Sequence, residues 1–284
     1  MKKILICGGG SYIGKNLYRW LSNYQEQYKV TMTPVKNGMW RNADFHVDTV
    51  VDVAGLAHIN NITEDMKPQF YAVNKDLTRD IAAYSKQNGV KHFVYLSSLN
   101  VYGDLCGCIT DANSVGPSSF YGDSKLQGEK DIQKMEDDSF RISIIRPPFV
   151  YGKGCRGNYN TISKIAKMTP FFPDYKQRKS MIYIDNLSEF IRLVVEREAD
   201  GAFLPQNKEL VSTCDLVEEI RRVHGKKLAR TKIFNLFIKG GLRFNRDLQR
   251  AFLDDCIDPS ISGYFDNAYC VVDFERSIED TERI

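Results

Sequence analysis

Apolar residues in the first two-thirds of the chain fall into short unbroken runs, separated by longer stretches with helical spacing. Ile4–Cys7 reads as a buried strand, glycines 8–10 as a turn, and Tyr12–Tyr24 as a helix with Ile13, Leu17, Trp20 and Leu21 on one face. Further strands are expected at Tyr28–Thr33, Asp48–Ala54, Val90–Ser97 and Arg141–Arg146, with helices at Met66–Asn88 and Phe120–Glu136. Gly89 suits the C-terminal cap of the second helix. Runs such as DTVVDVA, apolar without alternation, belong in a sheet covered on both faces. Strand and helix alternating in this way predict the α/β class, with a doubly wound parallel sheet. Pro34–Val47 is short for a crossover helix, so one unit of the winding should be cut down.

After Pro148 the pattern loosens. Tyr151–Tyr175 is loop-rich, Ser180–Ile184 reads as a short strand, and Asn186–Arg197 as a helix. From Phe203 onward the pattern is mixed and leans helical. The expected division is a sheet domain over 1–150, to which the strand and helix of 180–198 return. A smaller, mostly C-terminal lobe would be built from 151–179 and 199–284.

Composition excludes several classes. The 284 residues include 39 basic and 36 acidic ones, a net charge of +3, and the basic residues are scattered, so no nucleic-acid footprint is present. Seven cysteines are irregularly spaced. Cys106 and Cys108 form the one tight pair, with no second Cys/His pair at zinc-site spacing, so no metal is expected and the thiols should be free, as in a reducing cytoplasm. Lys2-Lys3 before Ile4–Cys7 resembles the start of a signal peptide, but the apolar run is too short for one. No segment approaches the roughly 18–20 apolar residues that span a bilayer. A soluble, cytoplasmic protein without a membrane partner is the expectation.

Candidate chemistry begins with Gly8-x-x-Ser11-x-x-Gly14, behind a strand and opening a helix. Gly8 permits a tight turn, Gly14 lets the helix pack close to the strand, and helix N-terminal N–H groups would then face a diphosphate. Tyr121-Gly-Asp-Ser-Lys125 places a phenol and an ammonium four residues apart, on one helix face. A lysine charge nearby would favour the phenolate and make Tyr121 a proton shuttle near neutral pH. Upstream, Leu96-Ser97-Ser98-Leu99-Asn100-Val101-Tyr102-Gly103 runs from a strand into a loop at the carboxyl end of the sheet, where open α/β proteins bind ligands.

These stretches together resemble the extended short-chain dehydrogenase/reductases, in particular the NAD-dependent nucleotide-sugar epimerase/dehydratase family. CGGGSYIG is similar to the family's TGGxGFIG, DTVVDVAGLAH to its DVVIHLAA strand, and YAVNKDLT to its NVxGT segment. LSSLNVYG followed by YGDSK resembles its Ser/Tyr/Lys constellation, and IIRPPFVYGKG and MIYIDNL its two substrate-side signatures. The likeness runs from residue 1 to about 195, in order.

The resemblance implies a Rossmann fold, Ser98, Tyr121 and Lys125 as catalytic residues, and NAD or NADP as cofactor. It places Gly8, Gly10, Ser11, Tyr12, Ile13, Gly14, Ala54, Gly55, Asn74 and Pro148 at the cofactor, with Tyr121 and Lys125. Asn100, Asn158, and Arg178 or Lys179 fall where the family meets its nucleotide-sugar substrate, together with Ser98. Many relatives pair as homodimers through the YxxxK helices, where Phe120 and Leu126 would serve either the interface or the core. The chain also departs from the pattern. The acidic residue after the second strand that holds the ribose of NAD is missing, and Thr33-Pro34-Val35-Lys36-Asn37 offers Lys36, which suits a 2′-phosphate. Asp44 would contact the adenine. Asp52 replaces the family's strand histidine, and sequence gives no reason for it.

The reaction implied is hydride transfer at the sugar C4 through a 4-keto intermediate. Sugar 4,6-dehydratases of this family carry an Asp-Glu pair after the active Ser/Thr, and the 3,5-epimerase/reductases a cysteine. Leu99 and Asn100 supply neither. That leaves a 4-epimerase, or an NADPH-dependent reductase of a 4-keto sugar. A non-catalytic NAD(P)-binding regulator is the reading from a different class.

Overall fold

Six strands pair, all in parallel, into one sheet in the order Gly201–Phe203, Arg141–Ile145, His92–Leu96, Thr49–Asp52, Lys2–Cys7, Tyr28–Thr33. The computed structural model describes residues 1–57, 63–103 and 107–283. Helices cover the sheet, so its central strands are buried on both faces, which explains runs such as Val50-Val51 and Phe93-Val94-Tyr95. The shortened crossover is a 3-10 stretch, Lys36–Asn42, whose Trp40 packs edge-on against Phe45 and Tyr84 beneath the sheet. Winding runs one way from Lys2–Cys7 to Tyr28–Thr33 and the other way from Thr49–Asp52 onward. The reversal puts a topological switch point between the carboxyl ends of Cys7 and Asp52.

The chain separates into two compact units. The first holds the large sheet and comprises Met1–Asp104, Ser114–Pro147 and Ile184–Pro205. The helix Ile184–Arg197 returns to it, with Trp20 Nε1 donating to Glu189 at 2.8 Å. The strand expected at 180–184 does not return. Met181–Tyr183 pairs with Phe149–Tyr151 in the second unit, while Gly201–Phe203, expected in the lobe, closes the edge of the large sheet. Short strands announce themselves by composition but not by partner.

The second unit comprises Leu105–Asn113, Pro148–Tyr183 and Gln206–Ile284. It contains the helices Asn158–Met168 and Thr213–Val223, the latter started by a capping box between Ser212 and Asp215. Its strands Gly107–Ile109 and Asp255–Ile257 pair in parallel, with Cys108 opposite Cys256, and a disulfide joins the two. This corrects the expectation of free thiols throughout: the partners stand 148 residues apart, and no spacing rule reaches that far. Cys7, Cys155, Cys214 and Cys270 are free, and Cys106 lies outside the described residues, as does His58 of the DTVVDVAGLAH stretch. Cys108, Asp254 and Cys256 are the one group of His, Cys, Asp or Glu near enough to share a metal among the described residues. The two sulfurs hold each other and Arg178 holds Asp254.

Candidate active site

The glycine turn stands at the switch point. Gly8 adopts φ +87°, a conformation that favours glycine, and a Cβ there would lie 2.8 Å from the Ala54 nitrogen. Ser11 N–H donates to the Gly8 carbonyl at 2.9 Å, and Ser11 Oγ accepts from Gly14 N–H at 3.0 Å, which caps the helix Tyr12–Leu21. A Cβ on Gly14 would lie 2.7 Å from the Gly8 carbonyl, so strand and helix meet through two bare backbones. A Cβ on Gly10 would meet nothing within 4 Å. A slim loop open on that side, leading into a helix N-terminus with half-buried Tyr12 and Ile13, fits a dinucleotide diphosphate.

Behind the turn, Asn74 braces the next loop. Its Oδ1 accepts from Leu56 N–H at 2.8 Å, and its Nδ2 donates to the Leu56 carbonyl and to Ser124 Oγ at 3.2 and 3.0 Å. Asn74 is fully buried in a π-helical turn, Ala72–Leu77. Ala54 and Gly55 form the loop that it helps to hold.

Ser98 follows the strand His92–Leu96 with an extended backbone and caps the 3-10 turn Leu99–Tyr102. Its Oγ accepts from the Asn100 N–H at 3.2 Å and from Asn100 Nδ2 at 3.0 Å. Tyr121 is the second residue of the helix Phe120–Gln133, capped by Ser119. Burial pushes the Tyr121 pKa up, and the neighbouring Ser98 hydroxyl pulls it back. Phe70 lies edge-on to the ring.

Lys125, one turn further along, is buried and donates to the Ala54 and Leu96 carbonyls at 3.2 and 2.9 Å, with its ammonium 4.7 Å from the Tyr95 ring centre. Burial lowers its pKa to about 8, and the charges of Asp52 and Glu129 work against that fall. The ammonium is turned to the carbonyls at two strand ends, and Ser98 is the group that acts on the phenol.

Asp52 now has a physical account. Wholly buried, it accepts from Ala54 N–H and from Thr78 Oγ1, both at 3.0 Å. Burial raises its pKa to about 6, while Lys125, the Ala54 N–H and the Thr78 hydroxyl act the other way. A second buried carboxylate was missed in the sequence. Glu129 accepts from Ser97 Oγ, and pairs with Arg146 at 2.7 Å. Arg146 also donates to the Tyr102 hydroxyl at 2.9 Å. Glu129 stands four residues after Lys125 on the same helix, and that spacing was the available signal.

The remaining candidates are dispersed. Lys36 and Asp44 are exposed, and Asp44 accepts from the His46 N–H at 2.8 Å in a local turn. Leu126 is buried within the chain, whereas Phe120 is half-buried under Lys67. Pro148, Asn158, Arg178 and Lys179 belong to the second unit. There Asn158 is exposed at a helix start, and Arg178 holds Asp254 through its Nε and a terminal nitrogen at 2.9 and 2.7 Å. The Lys179 backbone pairs with those of Val211 and Asp255, and burial lowers the pKa of its side chain.

Comparison with known proteins identifies relatives of the chain. A UDP-glucose 4-epimerase of Vibrio cholerae is 28% identical over 245 residues, covering 77% of this chain and 75% of the relative. N-acetyl-alpha-D-glucosaminyl-diphospho-ditrans,octacis-undecaprenol 4-epimerase of Escherichia coli O157:H7 is 30% identical over 195 residues, which is 64% of this chain and 58% of that protein. Among solved structures, UDP-glucuronic acid 4-epimerase of Bacillus cereus in complex with NAD superposes with a TM-score of 0.75 at 20% identity, over 99% of this chain and 95% of the other. A family model matches residues 4–203, the stretch that carries the glycine turn, the Ser98 loop and the Tyr121 helix: the chain belongs to the NAD dependent epimerase/dehydratase family.

Proposed function

We propose that the protein is an NAD(P)-dependent nucleotide-sugar epimerase that inverts C4 of the sugar through a transient 4-keto intermediate. The observation that carries the proposal is the Ser98–Tyr121 hydroxyl pair at the carboxyl end of the same sheet that presents the glycine turn. The nicotinamide, when bound, supplies the hydride acceptor and donor at C4. Gly8, Gly10, Ser11 and the first residues of the helix would hold the diphosphate, and Lys125 with Ala54, Gly55 and Asn74 the ribose side. Tyr121 Oη takes the proton of the C4 hydroxyl and returns it. Ser98 Oγ donates to the same sugar oxygen, with Asn100 fixing that hydroxyl from behind. Lys125 contributes a positive charge, and Asp52 keeps it charged as the site dries.

Relatives that act on sugars attached through a diphosphate, one to a nucleoside and one to a polyprenol, support this substrate chemistry. A reductase of a 4-keto sugar using NADPH is the second reading, favoured by exposed Lys36 where an acidic residue would hold NAD. No helix among the described residues is long and apolar enough to cross a membrane, and a cytoplasmic location is part of the proposal. So is a homodimer through the Phe120–Gln133 helix.

One experiment tests both readings. Purified protein is denatured, the supernatant is assayed for nicotinamide, and a panel of UDP-, dTDP-, GDP- and CDP-hexoses is run with and without added NAD(P)H. Retained NAD with turnover of a 4-hydroxy sugar supports the epimerase. Oxidation of added NADPH only with a 4-keto sugar moves the assignment to the reductase. A Tyr121→Phe variant should lose on the order of 10²–10⁴ in turnover. Unchanged turnover removes Tyr121 from the mechanism.

A further inference from the structure

The second unit carries an apolar patch that its own fold leaves uncovered. Ile233, Leu236 and Phe237 are 77%, 77% and 73% exposed, and Phe244 is 90% exposed. They lie on and beside the helix Asn235–Gly241, which turns only Ile238 inward. Phe234 stacks on Phe171, with ring centroids 6.1 Å apart, and so continues the apolar surface onto the strand Phe171–Pro173. Scattered exposed apolar side chains are ordinary, but a contiguous group of large ones marks an interaction surface.

Charge identifies the occupant. No aspartate or glutamate occurs between Glu219 and Asp247. Lys232, Lys239 and Arg243 are exposed within the patch, and none of them is in an ion pair among the described residues. Arg230, just before it, is engaged by Asp215 and Glu218. Uncommitted cations on and flanking a short helix that exposes Leu236 and Phe237 match an anionic lipid surface. Apolar side chains enter the headgroup boundary there, and cations meet the lipid phosphates. A second copy of the chain fits less well, because two-fold pairing sets this positive patch against itself.

We infer that residues 232–244 dock the protein on an anionic bilayer, lying on its surface rather than crossing it. This revises the expectation of no membrane partner, which rested on the absence of a spanning segment alone. The docking element lies apart from Ser98, Tyr121 and Lys125 in the chain and does not depend on the proposed reaction.

Flotation of the full chain with phosphatidylcholine vesicles, with and without phosphatidylglycerol, tests it. Wild type should float with the phosphatidylglycerol vesicles and progressively detach as salt is added. A Leu236→Ser/Phe237→Ser variant should lose at least about tenfold in partitioning. Lys232→Gln and Lys239→Gln should each lose roughly fivefold. Far-UV circular dichroism and turnover of soluble substrate serve as controls for folding, since all four side chains are exposed. Wild type that floats with neither vesicle, or a double variant that floats as well as wild type, overturns the inference. A dimer that the double variant dissociates, with no vesicle binding, would reassign the patch to self-association.

Discussion

Asp52 and Lys125 grip one residue from opposite sides: the carboxylate accepts the Ala54 N–H at 3.0 Å, and the ammonium donates to the Ala54 carbonyl at 3.2 Å. Ala54 is also the backbone against which Gly8 packs. The pair therefore ties the catalytic helix to the loop that faces the glycine turn.

Removing the carboxylate charge should move the pH profile. Asp52→Asn keeps an oxygen for the Ala54 N–H but leaves the Lys125 ammonium with less compensation, so the Lys125 pKa should fall further below its value of about 8. The alkaline limb of kcat is expected to shift to lower pH, with activity near pH 6.5 the least affected. Stability gives an independent reading. Asp52 has a folded-state pKa raised to about 6, so its contribution is fully present below the ordinary carboxylate range and is lost as pH rises through about 6. Thermal unfolding of wild type minus variant, measured from pH 4 to pH 7, should show that decline. An alkaline limb that stays in place would remove Asp52 from the site.

Gly8→Ala should cost both stability and cofactor. The positive φ alone costs about 1–3 kcal/mol for an L side chain. The new methyl must also displace Ala54, which Asp52 and Lys125 hold in place. The expected outcome is a lowered Tm and loss of bound nicotinamide from the purified protein, with Gly10→Ala milder because nothing stands within reach of its Cβ.

The sheet was legible because buried parallel strands carry unbroken apolar runs, and Ile4–Cys7, Thr49–Asp52 and His92–Leu96 all do. The glycine turn was legible for the same local reason: Gly8 and Gly14 are each fixed by contacts that a short motif encodes. What escaped depends on long-range pairing. Met181–Tyr183 and Gly201–Phe203 are three-residue strands whose partners composition does not name. Cys108 and Cys256 meet only because their strands do. Asp52 looked like a misplaced charge until Lys125, Thr78 and Ala54 were seen around it. The direction of the Lys125 ammonium also escaped, since helical spacing fixes a face and leaves the end of a long side chain free.

Ser98→Ala should act through Tyr121. The Ser98 hydroxyl is the group that pulls the phenol pKa down, so its loss leaves burial unopposed. Turnover should fall by about 10²-fold, with the acidic limb of the pH profile moving upward as the phenolate becomes harder to form. Asn100→Ala, which frees the serine hydroxyl without removing it, should produce a smaller loss and leave that limb nearly in place. Equal effects of the two substitutions would assign Ser98 a role in loop structure alone.

Glu129 ties the Ser98 loop to the sheet through charge. It holds Arg146 at 2.7 Å and accepts from Ser97, while Arg146 reaches Tyr102 at the end of the turn that Ser98 begins. Glu129 is 1% exposed, so screening by water is slight. Glu129→Gln keeps the shape but leaves the Arg146 guanidinium buried without a counter-charge, which typically costs about 3–5 kcal/mol. In a chain of this size that is a fall in Tm of roughly 10 °C. Replacing both partners, with Glu129→Leu and Arg146→Met, removes the stranded charge and should recover much of the stability. Activity should not recover with it, because Ser97 and Tyr102 lose the partners that set the loop. A double variant no more stable than Glu129→Gln would show that packing rather than charge compensation is what the pair contributes.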